Sequence, residues 1–71
     1  MNCAEFIKKI KAAAKIRGLS CRLDAYSGKG SHATLYFGES FTIVKDRKKE
    51  IGPGLLASML ADLDLTKEDL R

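Results

Sequence analysis

His32-Ala33-Thr34-Leu35-Tyr36-Phe37-Gly38-Glu39-Ser40-Phe41-Thr42-Ile43-Val44-Lys45 is the stretch on which the fold turns. β-Branched and aromatic residues fill both halves, and Gly38-Glu39-Ser40 interrupts them. Such a pattern predicts a β-hairpin, with strands over 32–37 and 41–45. Leu35 and Phe37 share one face of the first strand, and Phe41 and Ile43 share one face of the second. For all four to enter one core, the connection must hold an odd number of residues, because a one-residue slip turns every side chain to the opposite face. A three-residue loop, Gly38-Glu39-Ser40, meets that condition. A two-residue Gly38-Glu39 turn would leave Phe41 on the wrong side, so the longer loop is expected.

Upstream, Ser20-Cys21-Arg22-Leu23-Asp24-Ala25-Tyr26 alternates with period two and predicts a further strand. Cys21, Leu23 and Ala25 point one way, Arg22, Asp24 and Tyr26 the other. Before it, residues 2–17 read as a helix. Asn2 caps it, Glu5 completes a capping-box-like pair, and Phe6, Ile7, Ile10, Ala13 and Ala14 make its buried stripe. Gly18 is a natural left-handed stop. Downstream of a charged exit over 45–50, Gly52-Pro53 starts a second helix with Leu55, Leu56, Met59, Leu60 and Leu63 as its buried face. Thr66 and Asp69 suit the cap of one short final turn. The expected fold is therefore α+β, in the order α-β-β-β-α, with a three-stranded antiparallel sheet and two helices on one face. The other face stays open, with His32, Thr34, Tyr36, Arg22 and Tyr26 as its candidates. The layout resembles the double-stranded-RNA-binding fold, which reads backbone shape rather than sequence.

The 71 residues make one domain, 1–71, with a thin core. No apolar run approaches the roughly 18 residues of a membrane span. Met1 leads into an amphipathic pattern rather than a secretory signal, so a cytoplasmic location is expected. Cys3 and Cys21 read as reduced thiols. Two cysteines and one histidine, with no Cys-x-x-Cys pair, do not make a structural zinc site, and no cofactor is expected. The net charge of +4 is unevenly spread: residues 1–49 carry 11 basic and 4 acidic side chains (+7), and residues 50–71 carry 2 and 5 (−3). The basic part suits a polyanion, so nucleic acid is expected on one face, with the acidic C-terminal segment turned away.

His32 is the only histidine and so the only side chain that ordinarily titrates near neutral pH. RNA cleavage without a metal needs such a group. The 2′-hydroxyl loses a proton as it attacks phosphorus, the departing 5′-oxygen gains one, and cations hold the charge on the phosphoryl oxygens. A lone histidine at a strand start is more commonly an ordinary surface residue. Gly28-Lys29-Gly30-Ser31 lacks the Walker A pattern, yet its glycines would admit a phosphate to backbone N–H groups beside Lys29. Lys45, Arg47, Lys48 and Lys49 are the densest basic cluster, and Tyr36 is a candidate to stack on an unpaired base. A solvated charged loop and a half-exposed strand tyrosine are the simpler alternatives. No paired carboxylates suit a glycosidase or a two-metal nuclease, and a Ser31-His32 dipeptide is no triad.

A lysine-rich first helix, Gly30-Ser31-His32 after the first strand, a hairpin, Lys49-Glu50-Ile51 and Gly54-Leu55-Leu56 opening a helix stand in an order that resembles the HicA toxins of HicA–HicB toxin–antitoxin systems. The similarity runs from about residue 5 to residue 65. It implies a double-stranded-RNA-binding-like fold, metal-independent mRNA endoribonuclease activity that blocks translation, and inhibition by a HicB-type antitoxin covering the active site. The family's catalytic histidine falls on His32. Two positions depart from the pattern. Ala33 stands where many members have a second histidine, and Lys45-Asp46-Arg47 stands where many have Pro-x-His. The second departure exchanges a histidine contact for lysine or arginine contacts to phosphate.

The expectation is a ribonuclease toxin in which His32 transfers a proton and Lys29, Ser31, Tyr36, Lys45, Arg47, Lys48 and Lys49 bind RNA. Its rivals are a non-catalytic RNA-binding module and a basic protein-interaction domain. Toxicity lost in His32→Ala separates the first from the others, and RNA affinity at low salt separates the second from the third.

Overall fold

A computed structural model of the chain describes residues 1–25, 32–45 and 48–70. The assignments made above to Tyr26, Gly28, Lys29, Gly30, Ser31, Asp46 and Arg47 lie outside the described residues. The elements are α1 (Cys3–Arg17), β1 (Cys21–Ala25), β2 (Ala33–Phe37), β3 (Ser40–Val44), α2 (Pro53–Asp62) and a 3-10 turn at Lys67–Leu70. The sheet is antiparallel throughout, in the order β1-β2-β3. The expected α-β-β-β-α arrangement is thus the one observed.

Asn2 opens α1 as expected, its side-chain oxygen accepting the Glu5 backbone N–H at 2.9 Å. Cys3, Phe6, Ile7, Ile10, Ala13 and Ala14 form its buried stripe. Gly18, at φ 70°, closes the helix: Leu19 N–H reaches the Ala14 carbonyl and Gly18 N–H the Lys15 carbonyl, the paired bonds of a Schellman motif. In α2 the same motif ends on a non-glycine residue. Asp64 takes φ 59°, with Leu65 N–H on the Leu60 carbonyl and Asp64 N–H on the Ala61 carbonyl. Thr66 and Asp69 cap the last turn, the Asp69 carboxylate accepting both the N–H and the hydroxyl of Thr66. Arg17 forms an ion pair with the same carboxylate and ties the end of the chain to α1.

The hairpin corrects the sequence reading. Phe37 pairs with Ser40, so the turn is the two-residue Gly38-Glu39, and β3 begins at Ser40. Gly38 adopts φ 61° at the first central position, where a type II′ turn places glycine and where the strand twist is best matched. The register then sends Thr42 and Val44 into the core, opposite Leu35 and Ala33. Phe41 and Ile43 point outward and are 56% and 42% exposed. Burying a threonine is tolerable because its hydroxyl is paired: Thr42 Oγ1 donates to Asp62 Oδ2 at 2.9 Å. Leu55 is a second correction. It is 39% exposed, and the helix buries Met59, Leu60 and, just past its end, Leu63, with Leu56 partly covered. Positions 56, 59, 60 and 63 span one stripe of roughly 100°, and 55 falls about 40° outside its edge at Met59.

Both helices cover one face of the sheet, α1 over β1 and β2 and α2 over β3, around Phe6, Ile10, Leu35, Leu60 and Leu63. The start of α1 also holds the segment that follows the hairpin. Asn2 bridges Glu50, with Cys3 N–H on the Lys49 carbonyl at 3.0 Å and Ile51 N–H on the Met1 carbonyl at 2.9 Å.

Candidate active site

His32 immediately precedes β2 and Lys45 immediately follows β3. Because Ala33 faces Val44 in the ladder, the register carried one residue further sets His32 opposite Lys45. Both are exposed. Lys49 joins them by another route: the Cys3 N–H bond to its carbonyl fixes its backbone against the first turn of α1. His32, Lys45 and Lys49 all line one groove of about 310 Å³ between β3 and α2. Thr42, Met59 and Cys3 are its buried lining residues, and Ile43, Leu55, Ser58, Glu50 and Asp62 complete its walls.

Three residues picked from sequence therefore meet in one place. Lys48 is exposed but does not line the groove, and Tyr36 lies elsewhere, on the open face of the sheet. There Arg22, Tyr36 and Phe41 stand side by side across the three strands. The Arg22 guanidinium lies 4.8 Å from the centre of the Tyr36 ring, and the Tyr36 and Phe41 ring centres are 6.2 Å apart at 47°.

The groove also holds what the sequence reading did not foresee. Glu50 and Asp62 belong to the acidic C-terminal segment, which was expected to turn away from any polyanion, yet both line the groove. Each is engaged: Asp62 accepts the Thr42 hydroxyl, and Glu50 accepts a 2.5 Å bond from the Met1 ammonium, which holds that ammonium's pKa above its ordinary value. Asp69, in the same acidic segment, lies against α1 through its ion pair with Arg17. Thr42 was the available signal for the groove floor, since a polar residue at a buried strand position needs a partner. Nothing in the local pattern pointed to Asp62 as that partner, 20 residues away.

Both cysteines are free, Cys3 buried and Cys21 half-buried, where burial pushes the Cys21 thiol up. Among the described residues, no three His, Cys, Asp or Glu side chains come together as metal ligands, and no helix is long and apolar enough to cross a membrane. No protein-family model, no curated protein and no solved structure matches this chain.

Proposed function

We propose that this chain is a metal-independent endoribonuclease, the toxin of a HicA–HicB-type pair, that cleaves mRNA in the cytoplasm and so blocks translation. The observation that carries the reading is the convergence of His32, Lys45 and Lys49 on one groove. In the reaction the 2′-oxygen bonds to phosphorus and the bond from phosphorus to the 5′-oxygen breaks. One proton leaves the 2′-hydroxyl and one reaches the 5′-oxygen. His32 performs one of these transfers, and its exposed position lets a phosphodiester approach. Lys45 and Lys49 stabilise the charge that gathers on the non-bridging oxygens. Lys48, Arg47, Lys29 and Ser31 extend the contact along the backbone, on a double-stranded-RNA-binding-like scaffold. A HicB-type antitoxin restrains the enzyme by covering the groove.

Growth of bacteria expressing the chain tests this reading: arrest by the wild type, relieved in His32→Ala at equal protein level, is the expected outcome. Harmless accumulation of the wild type contradicts it. The second reading is a protein-docking groove without chemistry, favoured by Ile43 and Leu55, which bring exposed apolar surface to its walls.

A further inference from the structure

We propose that the open face of the sheet is a stacking platform for unpaired RNA, built from Tyr36 and Phe41 and flanked by Arg22, so that the substrate is single-stranded next to the cleavage groove. The inference rests on the RNA-binding part of the reading above and names the substrate class. Three observations carry it. First, Arg22, Tyr36 and Phe41 are directly cross-strand neighbours on the face that neither helix covers. Second, Phe41 is 56% exposed on that face, an aromatic ring left in water by a register that buries Thr42 instead. The exposed Phe41 ring offers a π-face 6.2 Å from the half-buried Tyr36 ring, over which the Arg22 guanidinium lies at 4.8 Å as a planar cation that can itself stack on a base. Stacking of this kind accepts any base, and bases paired in a duplex are not available for it. Third, the platform is continuous with the groove. The next row along the strands is Asp24, Thr34 and Ile43, and Ile43 is itself a groove residue. The row after that is His32 opposite Lys45. At strand rise the platform lies about 13 Å from His32.

The charges set the path. Asp24 ends the middle row on the β1 side and Asp62 lines the groove beside Ile43 beyond β3, so both flanks repel a phosphate, whereas Lys45 stands at the end of β3 opposite His32. A strand seated on the two rings is therefore led along β2 and β3 toward His32.

The test measures binding of the full chain, carrying His32→Ala to keep RNA intact, to a fluorescent uridine oligonucleotide and to a blunt RNA duplex of equal length. Stacking on one ring is worth about 5- to 150-fold in affinity. Phe41→Leu and Tyr36→Leu keep apolar bulk but lose the π-face. Each is expected to weaken single-strand binding at least about 5-fold while duplex binding is unchanged. Circular dichroism confirms that each variant is folded. Single-strand affinity equal to the parent's in both variants overturns the platform, as does an equal loss for single strand and duplex. Unchanged RNA affinity with altered self-association assigns the face to protein contacts and also overturns it. No RNA binding by the parent even at low salt removes the functional reading itself, a result distinct from all of these.

Discussion

The Thr42 hydroxyl donates to the Asp62 carboxylate at 2.9 Å, joining the buried face of β3 to the last turn of α2. The bond lets a polar residue occupy a core position, and so lets Phe41 and Ile43 remain outside. Removing Asp62 strands the Thr42 hydroxyl in the core, at a cost of about 1–3 kcal/mol. Thr42→Val removes the need for a partner and keeps the shape, and should cost less than about 1 kcal/mol. Urea denaturation of Asp62→Ala, Thr42→Val and the double variant measures this. Asp62→Ala should be the worst of the three, with part of its loss recovered in the double variant.

The two Schellman caps give a paired prediction. Gly18 and Asp64 both adopt left-handed backbone, at φ 70° and 59°. A side chain there strains the backbone, so Gly18→Ala should destabilise by about 1 kcal/mol and Asp64→Gly should stabilise by up to about 1 kcal/mol. Beyond the adjoining backbone, nothing lies within 4 Å of where a Cβ on Gly18 would sit, so the cost of Gly18→Ala comes from the local backbone conformation and not from packing against the rest of the fold. Thermal denaturation at neutral pH reads both signs.

The α1 stripe and most helix caps were legible in the sequence because they depend on neighbours within one or two turns, whereas the α2 stripe was read too wide at Leu55 and its cap at Asp64 was missed. Asn2, Gly18, Pro53 and the Thr66–Asp69 pair each fall where their local chemistry puts them. The hairpin register was not. Phe41 with Ile43 and Thr42 with Val44 both alternate correctly, and ranking by hydrophobicity favours the first pair. What decides between them is the two-residue turn at Gly38 and the distant carboxylate of Asp62. The site was legible in part for the same reason. His32, Lys45 and Lys49 stand out as residue types, but the groove that gathers them depends on α2 packing beside β3 and on α1 pinning the Lys49 backbone.

Acid should weaken the join between α1 and the C-terminal turn. The Thr66 N–H bond, followed by the Thr66 hydroxyl and Arg17, holds the Asp69 carboxyl below its ordinary value of 3.8. A carboxylate whose pKa is depressed by folding stabilises the fold above its unfolded pKa, and that contribution disappears as pH falls through the folded value. Melting temperatures of the wild type should therefore fall below about pH 4 more steeply than those of Asp69→Asn. Parallel curves for the two proteins would contradict this account.

RNA binding should weaken with salt, because each lysine on a phosphate releases counterions. For a single strand, each lost contact should flatten the slope of log affinity against log salt by about 0.7. Lys45→Gln and Lys49→Gln should each do so, and titrations between low and physiological salt would show it. Slopes unchanged in both variants would place the phosphates elsewhere.

Cleavage of a transcribed mRNA by the purified protein in EDTA, wild type beside His32→Ala, tests the central claim most directly. The account predicts fragments with the wild type and intact RNA with the variant, although the variant folds and still binds RNA. Intact RNA with folded wild type, or equal cleavage by both proteins, would contradict it.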